Sequence, residues 1–112
     1  MKLNTNKIYY LAAPLTSCGS ISQNYENEQG YYETLRAIKT QAGIIRPLSS
    51  LPDARACDMD WAEAMQKCRT LLSVADGIIL CPGWENSKGC QEERAYAEHM
   101  GMDVIEYEEL FA

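Results

Sequence analysis

Between residues 82 and 99 the chain gathers most of the groups that can do chemistry. They run Pro82-Gly83-Trp84-Glu85-Asn86-Ser87-Lys88-Gly89-Cys90-Gln91-Glu92-Glu93-Arg94, with His99 further on. Asn86 or Ser87 can cap a helix that runs to about Met100, with Gly101 as its C-terminal stop. Cys90 then lies on the first turn, where a helix N-terminus lowers the pKa of a thiol. Glu93, three residues on, shares its face. The plainer readings stay open beside these. Glu93 sits among Glu92, Arg94 and Glu98 and can be one more charge on a solvated face, and Cys90 can be a small semi-apolar filler. Trp84 can floor a base-stacking pocket or bury in a subunit contact. His99, the only histidine, falls near the helix's far end, where a structural role suits it. No histidine stands beside a serine or cysteine in a motif, so a hydrolase triad has little support. No His/Cys cluster has metal-ligand spacing, and neither a metal nor a cofactor is expected.

The elements that must hold these groups follow from the flanking pattern. Gly77-Ile78-Ile79-Leu80-Cys81 is a short apolar run with two β-branched residues, the mark of a strand covered on both faces. Pro82-Gly83 stops it. Lys7 to Ala13 is a second apolar strand, ended by Pro14, and Tyr10 within it reads equally as a core aromatic or a site residue. Residues 15–28 are polar and without a period, which predicts a long loop, readable as a lid over a pocket or as a disordered connection. A helix begins at Gln29 or Gly30, with Tyr31, Leu35, Ile38 and Ala42 as its apolar stripe and Gly43 as its stop. Residues 44–48 form a brief strand and 49–58 a loop. Asp58 or Asp60 caps the next helix, striped by Trp61, Met65, Cys68 and Leu72. Asp103 to Glu106 is a last short strand, and Tyr107 to Ala112 a weak helical tail. Asp76 starts its strand at the end away from the expected pocket, which suits a structural cap.

Helices alternating with short strands require right-handed crossovers and a parallel sheet covered on both faces. The expected fold is α/β, a three-layer, flavodoxin-like doubly wound sheet of four or five strands in the order 2-1-3-4. The whole chain, 1–112, makes a single domain. That order sets the ends of the strands at 7–13 and 77–81 side by side at the topological switch point, where ligands bind in such folds. No GxGxxG follows the first strand, so a dinucleotide fingerprint is absent.

Composition narrows the partners. With 10 basic and 16 acidic residues the net charge is −6, and the general field repels a nucleic-acid polymer or an anionic membrane. A small anionic ligand in a local pocket is compatible with it. No apolar run approaches the ~20 residues of a membrane span, and the opening Met1 to Lys7 lacks the apolar core of a signal peptide. Five cysteines (Cys18, Cys57, Cys68, Cys81, Cys90), with no CxxC, form neither a disulfide framework nor a zinc site. That usage points to a reducing cytoplasm.

Two strings carry a family likeness. Tyr10-Leu11-Ala12-Ala13-Pro14-Leu15-Thr16 resembles the Y-L-A-G-P-M-T opening of the nucleoside 2-deoxyribosyltransferase superfamily. Residues Ala75 to Gly89 resemble a small branch of it that has no assigned function and carries D-x-I-x-x-L-P-G-W-E-x-S-x-G-A. The segment Trp61-Ala62-Glu63-Ala64-Met65 is similar to that branch's tryptophan-bearing helix, so the likeness runs over most of the chain.

The resemblance implies that Glu93, four residues after Gly89, is the nucleophile of the family's G-x-x-x-E spacing. The physics agrees. One turn into a helix, unpaired amides and the positive dipole end favour an ionised carboxylate, and a glycine at 89 lets a ligand approach the backbone. Glu93 would attack an anomeric carbon and form a glycosyl-enzyme, resolved with net retention. Tyr10 would orient the carboxylate, and Ala13, Pro14, Gly83, Trp84, Ser87, Gly89 and Cys90 would line the substrate. The ligand so implied is a nucleoside or nucleotide, and the assembly a homo-oligomer with pockets completed by a neighbour. The Trp84 loop and the tail ending Leu110-Phe111 are candidate contacts. The chain departs from the transferases twice: Ser87 stands where they carry an aspartate, and Cys68 where they carry an acid that contacts the sugar. Those departures support the alternative of a non-catalytic nucleotide-binding or interaction module.

Overall fold

Four short runs, each rich in β-branched or aromatic residues, pair as parallel strands in a computed structural model that describes residues 3–14, 21–37, 42–47 and 61–111. They are β1 (Ile8–Ala12), β2 (Gly43–Ile45), β3 (Gly77–Leu80) and β4 (Asp103–Glu106). The sheet order is β2-β1-β3-β4, the flavodoxin-like doubly wound arrangement. Tyr10 pairs with Ile45, Ala12 with Leu80, and Leu80 with Glu106. The carboxyl ends of β1 and β3 therefore lie side by side, and Cys81 N–H extends the ladder onto Ala12 O at 3.0 Å.

Among the described residues the layers are completed by the helices α1 (Ile21–Ala37), α2 (Trp61–Ser73) and α3 (Lys88–His99). Side chains alternate across a strand, and β1 uses both faces. Tyr9, Leu11 and Ala13 join Ile79, Cys81 and Ile105 in a core closed by Leu35 of α1 and by Leu110. Tyr10 and Ala12 join Ile78 and Leu80 on the other face, closed by Cys68 and Leu72 of α2 and by Cys90 and Ala97 of α3. None of the helices among the described residues is long and apolar enough to cross a membrane.

The structure departs from the sequence expectations in several places. Residues 21–28, expected as loop, are the first part of α1. Their period is hidden because a buried position is filled by an acid: Glu28, seven residues before Leu35, is fully buried. Residues 15–20, Ile38 and the candidate caps Asp58 and Asp60 lie outside the described residues. Gly43 does not end a helix but begins β2. A Cβ there would stand 3.2 Å from Ile8 Cγ1, so strand packing accounts for the glycine. β2 ends at Ile45 rather than at 48. The tail is a 3-10 turn, Tyr107–Phe111, whose Leu110 enters this chain's own core while Phe111 is exposed. Asp76 has the structural role: its carboxylate accepts the Ile8 N–H at 2.9 Å.

Gly77, at the start of β3, shows how tightly the sheet is packed. A Cβ there would fall 2.9 Å from Tyr9 Cδ1 and 3.0 Å from the Asp103 carbonyl oxygen. One of those atoms is backbone of a neighbouring strand, which has little room to give. Gly77→Ala is expected to destabilise the domain by about 1–3 kcal/mol, read as a lower denaturant midpoint at unchanged slope. An unchanged midpoint would mean that β3 and β4 shift apart at little cost.

Candidate functional site

The site forms where β1 and β3 end. Past Leu80 the chain turns through Pro82 and Gly83, and Gly83 adopts φ 90°, ψ 1°. A left-handed backbone of that kind favours glycine. A Cβ on Gly83 would touch Pro14 Cγ at 3.5 Å, so the turns that follow β1 and β3 meet. Trp84–Asn86 make one 3-10 turn, and Ser87 then caps α3, its Oγ accepting the Cys90 N–H at 3.3 Å. That cap fixes the phase of α3 and turns Cys90, Glu93 and Ala97 inward.

Glu93 is consequently not one of the solvated charges around it. It is 8 % exposed, whereas Arg94 and Glu98 stand out and pair with each other at 3.0 Å. The hydroxyl of Tyr10, itself buried, donates to Glu93 Oε2. Tyr10 is thus a core aromatic through its ring and the partner of Glu93 through its hydroxyl. Burial pushes the Glu93 carboxyl up to about 7, against the opposing effects of the Tyr10 hydrogen bond and the Arg69 guanidinium; Glu92 adds to the rise. The helix dipole alone predicts an ionised carboxylate, and desolvation overrides it. The Tyr10 phenol is held well above its ordinary range by burial first and by Glu93 second. It stays a hydrogen-bond donor at any physiological pH.

Two thiols adjoin the pair. Cys68, on α2, is buried in the same core cluster as Tyr10. Burial and the nearby Glu93 push it up to about 11. Of the two readings of Cys90, an activated thiol or a small core filler, its burial favours the second. Its Sγ donates to Ala12 O at 3.8 Å in the core, and burial pushes it up to about 12. Removal from water outweighs the helix N-terminus. At neutral pH Cys90 is a packing thiol that ties α3 to the end of β1.

The other residues singled out from sequence divide. Ala13, Pro14 and Gly83 come together at the strand ends, and Gly89 lies half-buried in the first turn of α3. Ser87 has its oxygen committed to the helix cap. Trp84 is held by its own chain: its Nε1–H donates to Glu106 Oε1 at 3.2 Å, and the Arg94 guanidinium lies over its ring at 4.9 Å. Trp61 belongs to α2.

Sequence reasoning missed Glu28 and Arg69. Glu28 and Glu93 are the buried acids among the described residues. Glu28 Oε1 is 3.5 Å from Arg46 Nε, and Arg46 stacks over the Tyr32 ring at 4.5 Å. Cys68 is influenced by both acids. The available signal was an acid seven residues from Leu35, on the face that the apolar stripe marks for burial. A recess of about 340 Å³ between α1 and Tyr107, lined by Glu26, Gly30, Tyr31 and Thr34 among others, includes none of the residues expected at the site. Among the described residues no group of three His, Cys, Asp or Glu is disposed to hold a metal ion.

The arrangement can hold a proton at Glu93 near neutrality, or present an ionised carboxylate oxygen beside a fixed phenol donor. Compared with known families, residues 7–106 match the model described as "Domain of unknown function (DUF4406)". None of the curated proteins matches the chain.

Proposed function

The chain belongs to the DUF4406 domain family, and from that premise and the buried Tyr10–Glu93 pair we propose that it is an N-glycosidic-bond enzyme acting on a nucleoside or nucleotide. The observation that carries the reading is a carboxylate on α3 whose Oε2 is occupied by a phenol donor from β1. Its sequence likeness to the nucleoside 2-deoxyribosyltransferases supports the same assignment. Tyr10 holds one oxygen and directs attack through the other. Glu93 Oε1 bonds to the anomeric carbon as the carbon–nitrogen bond breaks, and the base leaves with the bonding pair and takes a proton from solvent. Water or a second base then attacks the same carbon, the ester bond breaks, and Glu93 is regenerated with net retention. The three described cysteines are free thiols, in keeping with action in a reducing cytoplasm. A homo-oligomer in which a neighbour completes each pocket belongs to the same reading.

A specific observation favours a second reading. The Ser87 hydroxyl, which accepts the Cys90 N–H as the cap of α3, can hydrogen-bond a departing base but cannot protonate it at neutral pH as a carboxylic acid would. A non-catalytic nucleotide-binding module on the same strand ends would not need that service.

Intact-protein mass spectrometry separates the two. The protein is incubated with a panel of nucleosides and 5′-nucleotides, including 2′-fluoro analogues that slow breakdown of a glycosyl ester. A sugar-sized adduct mapping to Glu93 is the expected result. No adduct and no free base across the panel would overturn the catalytic reading in favour of the binding module.

A further inference from the structure

Glu26, Gly30 and Thr34 follow one another at four-residue spacing along α1 and so form one row. With Asn27, Tyr31 and, from the tail, Tyr107, they line the recess of about 340 Å³. Gly30 is the telling member. Glycine in a helix interior costs stability relative to alanine, and nothing within the described residues requires it. Its φ lies outside the left-handed region, and a Cβ there would meet nothing within 4 Å. A missing side chain at the floor of a recess lets a group from outside the chain approach the helix backbone.

The walls indicate the kind of group. The Tyr31 and Tyr107 rings stand at 67° with centroids 5.0 Å apart, and Phe111 backs Tyr107 at 4.9 Å. Two rings at such an angle make a corner whose faces attract a cation. The Thr34 hydroxyl spends its hydrogen on the Gly30 carbonyl at 2.8 Å, so its oxygen can only accept further bonds. Glu26 is exposed and has neither an ion pair nor a hydrogen bond among the described residues. None of the six lining residues is basic. Elsewhere the chain fills its tyrosine faces with its own cations: Arg36 and Arg46 lie over Tyr32, and Arg69 over Tyr96. Among the described residues no such group stands over Tyr31 or Tyr107. A net charge of −6 draws cations from solution toward such a place.

We propose that the recess between α1 and the tail binds a small organic ammonium ion, its cationic head held by the Tyr31 and Tyr107 rings and by the Glu26 carboxylate. The volume falls at the lower end of the range for ligand pockets, which suits a free solute rather than a protein segment. The site stands apart from the Tyr10–Glu93 pair, which packs on the opposite face of the sheet with α2 and α3, and it does not rest on the glycosidic reading.

The test titrates the full chain with 1,4-diaminobutane and with tetramethylammonium at constant ionic strength. Binding is read from the Tyr31 and Tyr107 ring resonances by NMR. At least one of the two ions should shift them saturably, with half-saturation at about 1–10 mM. Butane-1,4-diol, which has the length of the diamine without its charge, should not. Glu26→Gln alters an exposed side chain and should weaken binding roughly two- to fivefold. Gly30→Leu fills the floor of the recess and should abolish saturation. Gly30→Ala meets no atom of the described chain, so its Tm should rise by helix propensity while its affinity falls. That opposite movement separates a ligand site from a merely structural glycine. No saturation by either ion up to about 100 mM, an equal response to the diol, or an affinity unchanged in Gly30→Ala and Glu26→Gln alike would overturn the proposal.

Discussion

Glu93→Gln is expected to lower base release, from whichever nucleoside or nucleotide the wild-type protein turns over, by at least about a thousandfold. The substitution keeps the shape of the side chain and an oxygen that can accept from Tyr10, so the packing around it changes little. What it removes is the oxygen that bonds to the anomeric carbon. No covalent adduct should form with a 2′-fluoro analogue. Glu93→Asp keeps the charge but withdraws the carboxylate by one methylene, and a displacement of roughly 1 Å is expected to cost about a hundredfold. In the wild type, base release should rise with pH through about 7 as the carboxyl ionises. Tyr10→Phe removes a bond that favours the ionised form, so the acid limb of its profile should lie at higher pH. Turnover by Glu93→Gln at the wild-type rate would end the assignment of this residue as nucleophile.

The same substitution should stabilise the fold, and only at high pH. In the unfolded chain Glu93 titrates near its ordinary value of 4.5; in the folded protein burial raises it to about 7. Between those values the folded state holds a proton that the unfolded chain has released, so stability falls as pH rises. The favourable contribution is complete below 4.5 and is lost as pH climbs through 7. The full difference amounts to roughly 3 kcal/mol, which for a domain of this size is a shift of about 10 °C in Tm. Glu93→Gln has nothing to ionise. Its melting temperature should match the wild type at about pH 5 and exceed it by several degrees at about pH 9, measured by calorimetry on both proteins in the same buffers. A difference in Tm that stays flat across that range would show that burial does not raise this carboxyl. A carboxylate kept in place at the expense of stability is what a stability–function trade-off predicts for a working residue.

Much of the site's address was readable in the chain, because its signals are local. Gly77 to Leu80, Pro82-Gly83 and Ser87 announce a strand, a stop and a helix cap, and each formed where its own chemistry directs. Parallel strands joined by helices leave few topologies once crossovers are right-handed, so the juxtaposition of β1 and β3 followed. The start of α1 was not readable. Glu26, Asn27 and Glu28 look like a polar loop, and the residue that anchors that turn to the core is an acid ion-paired to Arg46. Hydrophobic periodicity cannot register a helix whose buried position is a charge.

The protonation of the site was decided elsewhere. Sequence alone determined that Cys90 and Glu93 share a face of α3, from their helical spacing, and the fold turned that face inward together with Ala97. Sequence could not separate Glu93 from Glu92 or Arg94 in environment, nor say that Cys90 would be a quiet thiol rather than an activated one. Both outcomes depend on desolvation, which comes from atoms far apart in the chain: Tyr10 of β1, Cys68 of α2 and Glu93 of α3 exclude water from one another only once the sheet has closed beneath the helices. A helix dipole acts from neighbouring residues and can be read in sequence order. The burial that overrides it is a property of the assembled core.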